Sequence, residues 1–296
     1  MSPGTRPAPG YEILGHLART GWLDVYDAWS RDRDCRCVVK VLRPDRREEP
    51  RLRERLLREG RWLQGFTHPH LVRGYETLEA AGPLVVLETL TGETLSHLVH
   101  RPGRRLAAVD LALLGTHLCS AVHYLHGQDL LHLDIKPSNV AIDCGHAKLL
   151  DLSVARPPGT APKGLGTFCY LAPEQATGGP LGPAADVWGI GATLYEAATG
   201  DVPFDPDDTE EGETAGAPYT GSPSWEDSTT DTGSYVQLEA RAPRVGSRRR
   251  LPHALATAID GCLEPDAAAR PAVGDLAAAF DEVLPQPRRH VPPPKP

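Results

Sequence analysis

Residues 132–139, which read HLDIKPSN, constrain this chain more than any other stretch. They place an acid at Asp134, a lysine two residues later at Lys136 and an amide five residues later at Asn139. A carboxylate can accept a hydroxyl proton, an ammonium group can neutralise a phosphoryl group during its transfer, and an amide oxygen can ligate Mg²⁺. Pro137 stiffens the turn that presents them. The order of these groups indicates phosphoryl transfer, whereas a surface loop with chance charges would not explain the flanking motifs.

The composition is that of an ordinary globular protein. A chain of 296 residues with 40% hydrophobic and 24% charged residues fits one large domain or two lobes that share a cleft. The formal net charge of −8 argues against a nucleic-acid-binding surface. No run approaches the roughly 18 apolar residues of a membrane span, and the first ten residues lack the apolar core of a signal peptide. We therefore expect a cytoplasmic protein whose partners include neither a membrane nor a nucleic acid.

The segment 132–139, here called the catalytic loop, resembles H-R-D-x-K-x-x-N of the protein kinases, and further motifs of that family follow in order. CVVK at 37–40 resembles V-A-I-K, and HPHLV at 68–72 resembles H-P-N-I-V. Asp-Leu-Ser at 151–153 stands where the family has D-F-G, and GTFCYLAPEQ at 166–175 resembles G-T-x-x-Y-x-A-P-E. Together these motifs cover essentially a whole kinase domain.

The resemblance implies an α+β, two-lobed protein kinase fold. It implies a small β-rich lobe at residues 11–88 and a larger α-helical lobe at 89–284. Residues 205–250 interrupt the pattern, because their first part is acidic and rich in Thr, Ser and Gly and their second part is rich in Arg. Such a composition cannot bury a core and predicts a mobile insertion. We also expect a disordered stretch at residues 1–10 and a Pro-rich tail at 285–296.

The same resemblance implies roles for the charged residues at motif positions. Asp134 is the positioning base, and Lys136 neutralises the γ-phosphate of ATP. Asn139 and Asp151 hold Mg²⁺, and Lys40 binds the α- and β-phosphates. ATP and Mg²⁺ are therefore the expected cofactors.

Two ion pairs are expected to support these residues. Glu59 lies within a helical pattern and pairs with Lys40 in the kinase interpretation, while the alternative is a solvated glutamate near Arg55. Glu174 of the Ala-Pro-Glu motif is expected to pair with Arg270, and here too the alternative is two solvated surface charges. The co-occurrence of the motifs favours the pairs.

The nucleotide pocket is implied at positions from both lobes. Leu87 is the gatekeeper, and the backbone of Glu88 to Leu90 faces adenine. Val38 stands above adenine, where the family has Ala, and Ala141 below it, where the family usually has Leu. The implied nucleotide contacts are Lys40, Glu59, Ala18, Thr20, Gly21, Val25, Val38, Leu87, Glu88, Leu90 and Ala141.

The main departure from the family lies at residues 18–23, here called the phosphate loop. The three glycine positions of G-x-G-x-x-G-x-V hold Ala18, Thr20 and Leu23, and Gly21 lies out of register. Glycine matters there because a missing Cβ lets backbone N–H groups reach phosphate oxygens. A pseudokinase that acts as a binding scaffold therefore remains an alternative, although every charged position of the chemistry is filled. A small-molecule phosphotransferase is a third alternative, which the Ala-Pro-Glu motif disfavours.

A second departure concerns regulation. Leu133 replaces the arginine that, in most regulated kinases, pairs with a phosphate on the activation segment, which here is residues 151–174. Thr160 is the main hydroxyl there, with Arg156 and Lys163 as its basic neighbours. We expect activity without such a phosphate, with a regulatory protein partner as one source of control; the alternative is a buried Leu133 with Arg156 or Arg270 supplying the charge.

The positions of Lys136 and Thr167 resemble those of the serine/threonine branch of the family, and the sequence GTFCYLAPEQ resembles that of actinobacterial enzymes. The predicted function is transfer of the γ-phosphoryl group of ATP to Ser and Thr hydroxyls of protein substrates.

Overall fold

The computed structural model describes residues 1–79, 82–101, 105–204 and 235–285, which form two lobes. The N-terminal lobe is a five-stranded antiparallel sheet with the strand order β1-β2-β3-β5-β4. Its strands are β1 (Tyr11–Arg19), β2 (Leu23–Ser30), β3 (Cys35–Leu42), β4 (Gly74–Leu78) and β5 (Leu84–Glu88). Helix α1 (Pro50–Gly65) packs on one face of this sheet through its buried leucines.

The register of the sheet decides which side chains face the cleft. Lys40 of β3 lies opposite Val25 of β2 and Val85 of β5, and Val38 lies opposite Leu87. Paired residues of antiparallel strands share a face, as do residues two apart on one strand. The ammonium-bearing Lys40 and the apolar Val25, Val38 and Leu87 therefore stand on one face of the sheet.

The C-terminal lobe is mainly helical. Its helices are α2 (Leu95–Val99), α3 (Ala108–Gly127), α4 (Pro173–Thr177), α5 (Pro183–Thr199), α6 (Val236–Glu239), α7 (Val245–Arg248), α8 (His253–Cys262) and α9 (Val273–Asp281). Two small sheets complete it, β6-β7-β8 and β10-β9. Their strands are β6 (Glu93–Thr94), β7 (Val140–Asp143), β8 (His146–Leu149), β9 (Gly159–Ala161) and β10 (Gly179–Leu181).

Helix α5 forms the centre of this lobe. It is buried from Ala185 to Thr199 and packs against α3 and α8. A helix that is apolar on all sides is typical of a protein core. Its buried Asp186 is therefore an exception that needs hydrogen-bond partners, and they are given below.

The expectation that no run approaches the length and apolar composition of a membrane span is wrong for helix α3. Within the part of the chain that the structure describes, it is the one helix long and apolar enough to cross a membrane by length and composition. It packs against α5, α9 and β8, and buried core helices have the same composition.

The prediction of disorder at residues 1–10 is wrong. The backbone N–H of Gly4 donates to the Ile13 carbonyl at 2.8 Å, and the N–H of Ile13 donates to the Thr5 carbonyl at 2.9 Å. The terminal ammonium of Met1 donates to the Tyr26 hydroxyl at 2.6 Å. Since β1 is an edge strand, its outward backbone groups can bind a further segment whatever the side chains of that segment are.

The prediction of a mobile insertion at 205–250 is wrong for residues 235–250, which contain α6 and α7. Gln237 is 2% exposed and donates through Nε2 to the carbonyls of Phe168 and Leu171, at 3.2 Å each. Val245 is fully buried, and its N–H donates to Asp260 Oδ1 at 2.8 Å. Composition missed this segment because polar side chains that bind backbone groups hold it in place. Residues 205–234 and the tail from 286 onward lie outside the described residues.

Candidate active site

Lys40 is held between two carboxylates at the base of the cleft. Its Nζ lies 2.6 Å from Glu59 Oε1 and 3.0 Å from Asp151 Oδ2. The side chains of Lys40 and Glu59 are 8% and 0% exposed, so the alternative of a solvated glutamate is excluded. The register of β3 points Lys40 at α1, and the segment after β8 brings Asp151 to the same point.

The charges of this triad depend on one another. Burial alone would lower the pKa of Lys40, but the charges of Asp151 and Glu59 outweigh it and raise that pKa. Burial and the nearby Asp151 raise the pKa of Glu59. Burial would also raise the pKa of Asp151, but the Lys40 ammonium and the hydrogen bond from Ser153 outweigh it, and that pKa is lowered. Asp151 therefore stays ionised, as a metal ligand must be.

The catalytic loop brings its three functional side chains together around Asp134. Asn139 Nδ2 donates to Asp134 Oδ2 and to the Asp134 carbonyl, both at 2.9 Å. Thr167 donates to Asp134 Oδ1 at 2.6 Å. Lys136 Nζ lies 2.5 Å from Thr167 Oγ1 and 3.1 Å from Asp134 Oδ2. The carboxylate of Asp134 is thus fixed on both oxygens, and Thr167 lies against the catalytic loop.

Asp186 holds the backbone of the catalytic loop. Its Oδ2 accepts from the N–H of His132 at 2.9 Å and from His126 Nε2 at 2.8 Å, and its Oδ1 accepts from the N–H of Leu133 at 2.7 Å. Leu133 has a φ of +64°, which a branched side chain rarely adopts. Its carbonyl accepts from Gln175 Nε2 at 2.9 Å. Both backbone groups of this strained residue are therefore held from outside the loop.

Leu133 itself is packed in the core, being only 4% exposed. Of the two arginines considered as substitutes for the missing charge, Arg270 is engaged with Glu174 in a two-point contact at 2.7 and 2.9 Å. Arg156 donates to the Thr160 carbonyl at 2.9 Å. The expected Glu174–Arg270 pair is confirmed, and Arg270 is committed to it.

Arg55 is a site residue that the motif reading missed. It lies on α1 one turn before Glu59 and is 8% exposed. Its Nε donates to the Ser153 carbonyl at 2.8 Å, and its NH2 group lies 3.2 Å from Ser153 Oγ. Its guanidinium also lies over the ring of Trp22, 4.6 Å from the centroid. Arg55 therefore links the phosphate loop to the residue that follows the Asp151-Leu152 pair, and an arginine four residues before Glu59 was the available signal.

Ser153 stands where the kinase motif D-F-G has glycine, and its backbone still contacts Asp151. Its N–H donates to Asp151 Oδ1 at 2.7 Å. Leu152 is 1% exposed and packs in the core. The carboxylate of Asp151 is consequently oriented by Lys40 on one oxygen and by Ser153 on the other.

The phosphate loop is closed by its own groups. The N–H of Thr20 donates to the Leu23 carbonyl at 2.8 Å, and the N–H of Leu23 donates to Thr20 Oγ1 at 3.0 Å. Arg43 donates to the carbonyls of Thr20 and Gly21 at 3.3 and 3.2 Å. None of residues 18–23, all of which are described, has a positive φ. Gly21 therefore adopts a conformation open to any residue, and two of the loop's N–H groups are already bound.

The adenine walls come from both lobes. Val25 and Val38 are partly exposed, while Leu87 and Ala141 are 3% and 5% exposed. Glu88, at the connection between the lobes, receives Lys148 Nζ on Oε1 at 2.5 Å. Leu90 follows the connection and is half-buried. The partly open valines and the buried floor agree with a slot for a flat apolar group.

Lys40, Asn139 and Asp151 fit the binding of ATP and Mg²⁺, whereas the phosphate loop does not. Asn139 turns its Nδ2 toward Asp134, so its Oδ1 is the group left for a cation. Asp151 is ionised, and Lys40 supplies an ammonium group for phosphate oxygens. The phosphate loop does not fit the same scheme, because side chains stand at the glycine positions and the N–H groups of Thr20 and Leu23 bind within the loop.

Comparison with known proteins agrees with this geometry. A family model described as the protein kinase domain matches residues 11–280. The serine/threonine-protein kinase PknB of Mycobacterium leprae is 35% identical over 210 residues, which cover 66% of this chain and 33% of that protein. A probable serine/threonine-protein kinase of Streptomyces coelicolor is 32% identical over 207 residues, which cover 66% and 31%. This chain thus matches about a third of the length of these relatives.

A solved structure shares the fold. The kinase domain of PknI from Mycobacterium tuberculosis superposes with a TM-score of 0.70, at 20% identity, over 95% of this chain and 98% of that one. The expected two-lobed fold is confirmed. With the family model covering all but the ends, the chain belongs to the protein kinase family.

Proposed function

We propose that this chain transfers the γ-phosphoryl group of ATP to Ser and Thr hydroxyls of protein substrates. The observation that carries the proposal is the arrangement around Asp134, in which Lys136, Asn139 and Thr167 all contact the carboxylate or its backbone. A scaffold that only binds partners has no need for an oriented carboxylate beside an ammonium group. The names of the relatives, which are serine/threonine-protein kinases, support the same substrate class.

The roles of the residues follow from their contacts. Asp134 orients the substrate hydroxyl and accepts its proton, because Asn139 and Thr167 hold its oxygens in one direction. Lys136 lies within 3.1 Å of the same carboxylate and stabilises negative charge that develops beside it. When bound, ATP supplies the phosphoryl group and Mg²⁺ neutralises its oxygens.

The groups that would hold the nucleotide are Lys40, Asn139 and Asp151. Lys40 is positioned by Glu59 and is ready to bind phosphate oxygens. Asn139 and Asp151 offer the oxygen ligands that Mg²⁺ prefers. Since the phosphate loop binds its own N–H groups, nucleotide affinity rests mainly on these three residues and on the adenine slot.

Control by a protein partner is part of the proposal. Leu133 is buried and carries no charge, so it cannot pair with a phosphate on the activation segment. A partner that binds the N-terminal lobe could instead act through α1, which carries both Glu59 and Arg55. The proposal places the reaction in the cytoplasm on the composition of the chain alone.

The decisive experiment is transfer of radiolabelled phosphate from Mg·ATP to a generic basic protein. Asp134→Asn keeps the size of the side chain and removes the base, so we expect at least a 100-fold lower rate with an unchanged Tm. Asp281→Asn is the matched control, because Asp281 is exposed at the end of α9. Absence of transfer by the wild-type protein, or equal rates for wild type and Asp134→Asn, would support the pseudokinase scaffold instead.

A further inference from the structure

Three histidines outside the catalytic site converge on one point. His70 comes from the segment between α1 and β4, His117 from the middle of α3, and His146 from the first position of β8. One ring nitrogen of each can be chosen so that all three lie within 4.8 Å of one another. The rings of His70 and His117 are stacked with centroids 4.0 Å apart, and His146 lies 5.6 Å from His117. His70 stands at the Asn position of the H-P-N-I-V motif, and the kinase motifs quoted above contain neither His117 nor His146.

The three rings are close enough to share a small cation with nitrogen ligands. Tetrahedral Zn²⁺ has Zn–N distances of about 2.0–2.1 Å, which place ligand nitrogens roughly 3.3 Å apart. Because a ring nitrogen binds a metal in the plane of its ring, the stacked rings must turn out of their parallel arrangement, and the cluster must contract, before they bind such an ion. His146 is exposed, so its ring is free to turn toward the other two. Three imidazoles leave a fourth position for water, as in open zinc sites.

The backbone of β8 orients the rings. His70 Nδ1 lies 2.8 Å from the Ala147 carbonyl, so Nδ1 carries the proton and Nε2 keeps its lone pair for a metal. The N–H of Ala147 lies 3.3 Å from His117 Nδ1, at the long end for a hydrogen bond. His117 can exchange that weak contact for a metal bond. A single residue of β8 thus positions two of the three rings.

The charge around the cluster also allows a metal to bind, because neutral imidazoles are ligands and an ordinary histidine is largely neutral at pH 7. Lys148, the cation on the same strand, is paired with Glu88 at 2.5 Å. Its ammonium group is therefore engaged at the connection between the lobes.

A metal can reach the cluster from solvent. His117 lines an open pocket of about 890 Å³ between α2, α3 and the β7–β8 turn, together with Gly145 and Ala147. Of the other two rings, His146 is exposed at the edge of the same turn and His70 is half-buried. Nothing needs to unfold for an ion to enter.

We propose that His70, His117 and His146 bind one divalent transition-metal ion of the zinc class. The bound ion cross-links the segment before β4, helix α3 and strand β8. That segment already pairs with β8, since the N–H of Val72 donates to the Leu149 carbonyl at 2.9 Å and the N–H of Leu149 to the His70 carbonyl at 3.0 Å. The ion therefore reinforces an existing contact between the two lobes, two residues before Asp151.

Titration of the metal-free, reduced protein with Co²⁺ is the direct test, because tetrahedral Co²⁺ absorbs visible light and thiolate ligands add a near-ultraviolet band. We expect one equivalent to bind with visible bands and no thiolate band, and Zn²⁺ to displace it. His146→Ala and His117→Ala should each weaken binding at least tenfold. His123→Ala is the matched control, because His123 is exposed on the same helix as His117, and it should leave binding unchanged.

His146 is exposed, so His146→Ala should fold, and circular dichroism of the metal-free variant checks this. A second readout is the Tm, which one equivalent of Zn²⁺ should raise in wild type and His123→Ala but not in His146→Ala. Unchanged Co²⁺ affinity in His146→Ala, equal loss in His123→Ala, or a thiolate band that Cys144→Ser removes would each overturn the proposal.

Discussion

The catalytic loop and the phosphate loop contribute to the same cleft but are built on opposite rules. In the catalytic loop the side chains of Lys136 and Asn139 both contact the carboxylate of Asp134, and groups outside the loop hold its backbone. In the phosphate loop the backbone N–H groups bind within the loop itself, through Thr20 and Leu23. The catalytic loop therefore keeps its functional side chains available to a ligand, whereas in the phosphate loop the N–H groups of Thr20 and Leu23 are already hydrogen-bonded. In the proposed reaction, nucleotide binding and chemistry therefore depend on side-chain charges more than on backbone groups.

The two loops are nevertheless connected. Arg55 stacks on Trp22 of the phosphate loop and donates to Ser153 beside Asp151. Trp22 is 6% exposed and belongs to the main core. The closed phosphate loop thus has a structural use, because it presents the aromatic ring on which Arg55 rests. Four substitutions sharpen the contrast between the loops, from the largest expected effect to the smallest.

The support of the catalytic loop should be the most sensitive point. Asp186→Ala leaves the buried N–H groups of His132 and Leu133 without an acceptor, and each such loss costs about 1–3 kcal/mol. We expect the unfolding free energy to fall by about 3–5 kcal/mol and the transfer rate to fall more than 100-fold well below the Tm. Asp186→Asn keeps one oxygen acceptor and should lose less. Denaturant unfolding and rate measurements check both, and a loop that tolerates Asp186→Ala would contradict this account.

The link between the loops should come second. Arg55→Met keeps the apolar stem against Trp22 and removes the donors to Ser153. We expect kcat to fall about 10- to 30-fold, because Ser153 orients Asp151. Arg58→Met is the control, since Arg58 lies on the same helix over Trp62 instead. Similar kcat values for the two variants would show that the Ser153 contact does not matter.

Opening the phosphate loop should have a smaller effect than the two preceding substitutions, and it should improve nucleotide binding rather than lower activity. Thr20→Gly removes the hydroxyl that binds the Leu23 N–H and the Cβ at a glycine position of the family motif. An N–H freed to face phosphate is worth about 1 kcal/mol, so we expect the KM for ATP to fall about fivefold with kcat nearly unchanged. Asp34→Gly, in the exposed β2–β3 turn at a φ of +50° that glycine adopts without strain, is the control for a glycine placed elsewhere in the same sheet. A higher KM in Thr20→Gly would mean that the closed loop is the binding form.

At the base of the phosphate loop, loss of the ion pair between Arg19 and Asp24 should change the pH dependence of the Tm rather than nucleotide binding. Arg19 binds Asp24 through Nε and NH2 at 2.7 and 3.0 Å, and this pair lowers the pKa of Asp24. Because the folded-state pKa lies below the unfolded one, the stabilisation is present above the unfolded value of about 4 and is lost as the pH falls through the folded value. Arg19→Ala should lower the Tm by a few degrees at pH 7 and by less at pH 3. A Tm difference that does not shrink with pH would contradict the assignment, while transfer rates should change little.

Much of the site could be predicted because phosphoryl transfer needs particular groups at particular spacings. Asp134, Lys136 and Asn139 lie within six residues, so the turn that contains them almost dictates their proximity. Lys40, Glu59 and Asp151 are far apart along the chain, and only the resemblance to the kinase motifs joined them in advance. The structure confirms the expected pair of Lys40 with Glu59 and adds a contact of Lys40 with Asp151 that was not predicted.

Other features could not be read from motifs. Residues 1–10 and 235–250 have the composition of disordered chain, but backbone hydrogen bonds to β1 and side-chain bonds from Gln237 and Asp260 order them. Composition measures the apolar area available for burial and does not register such partners. Arg55 and the three histidines were overlooked for a similar reason, since their significance lies in what surrounds them.

The sequence by itself determined the fold class and the candidate residues for phosphoryl transfer, because the kinase motifs that it resembles place those residue types at fixed positions along the chain. Only the tertiary structure decided which charges meet, that Leu133 takes a strained and buried conformation, and that the phosphate loop satisfies its own N–H groups. The same holds for the convergence of His70, His117 and His146 from three elements. Distances between residues far apart in the chain depend on how the elements pack, and local pattern carries no information about them.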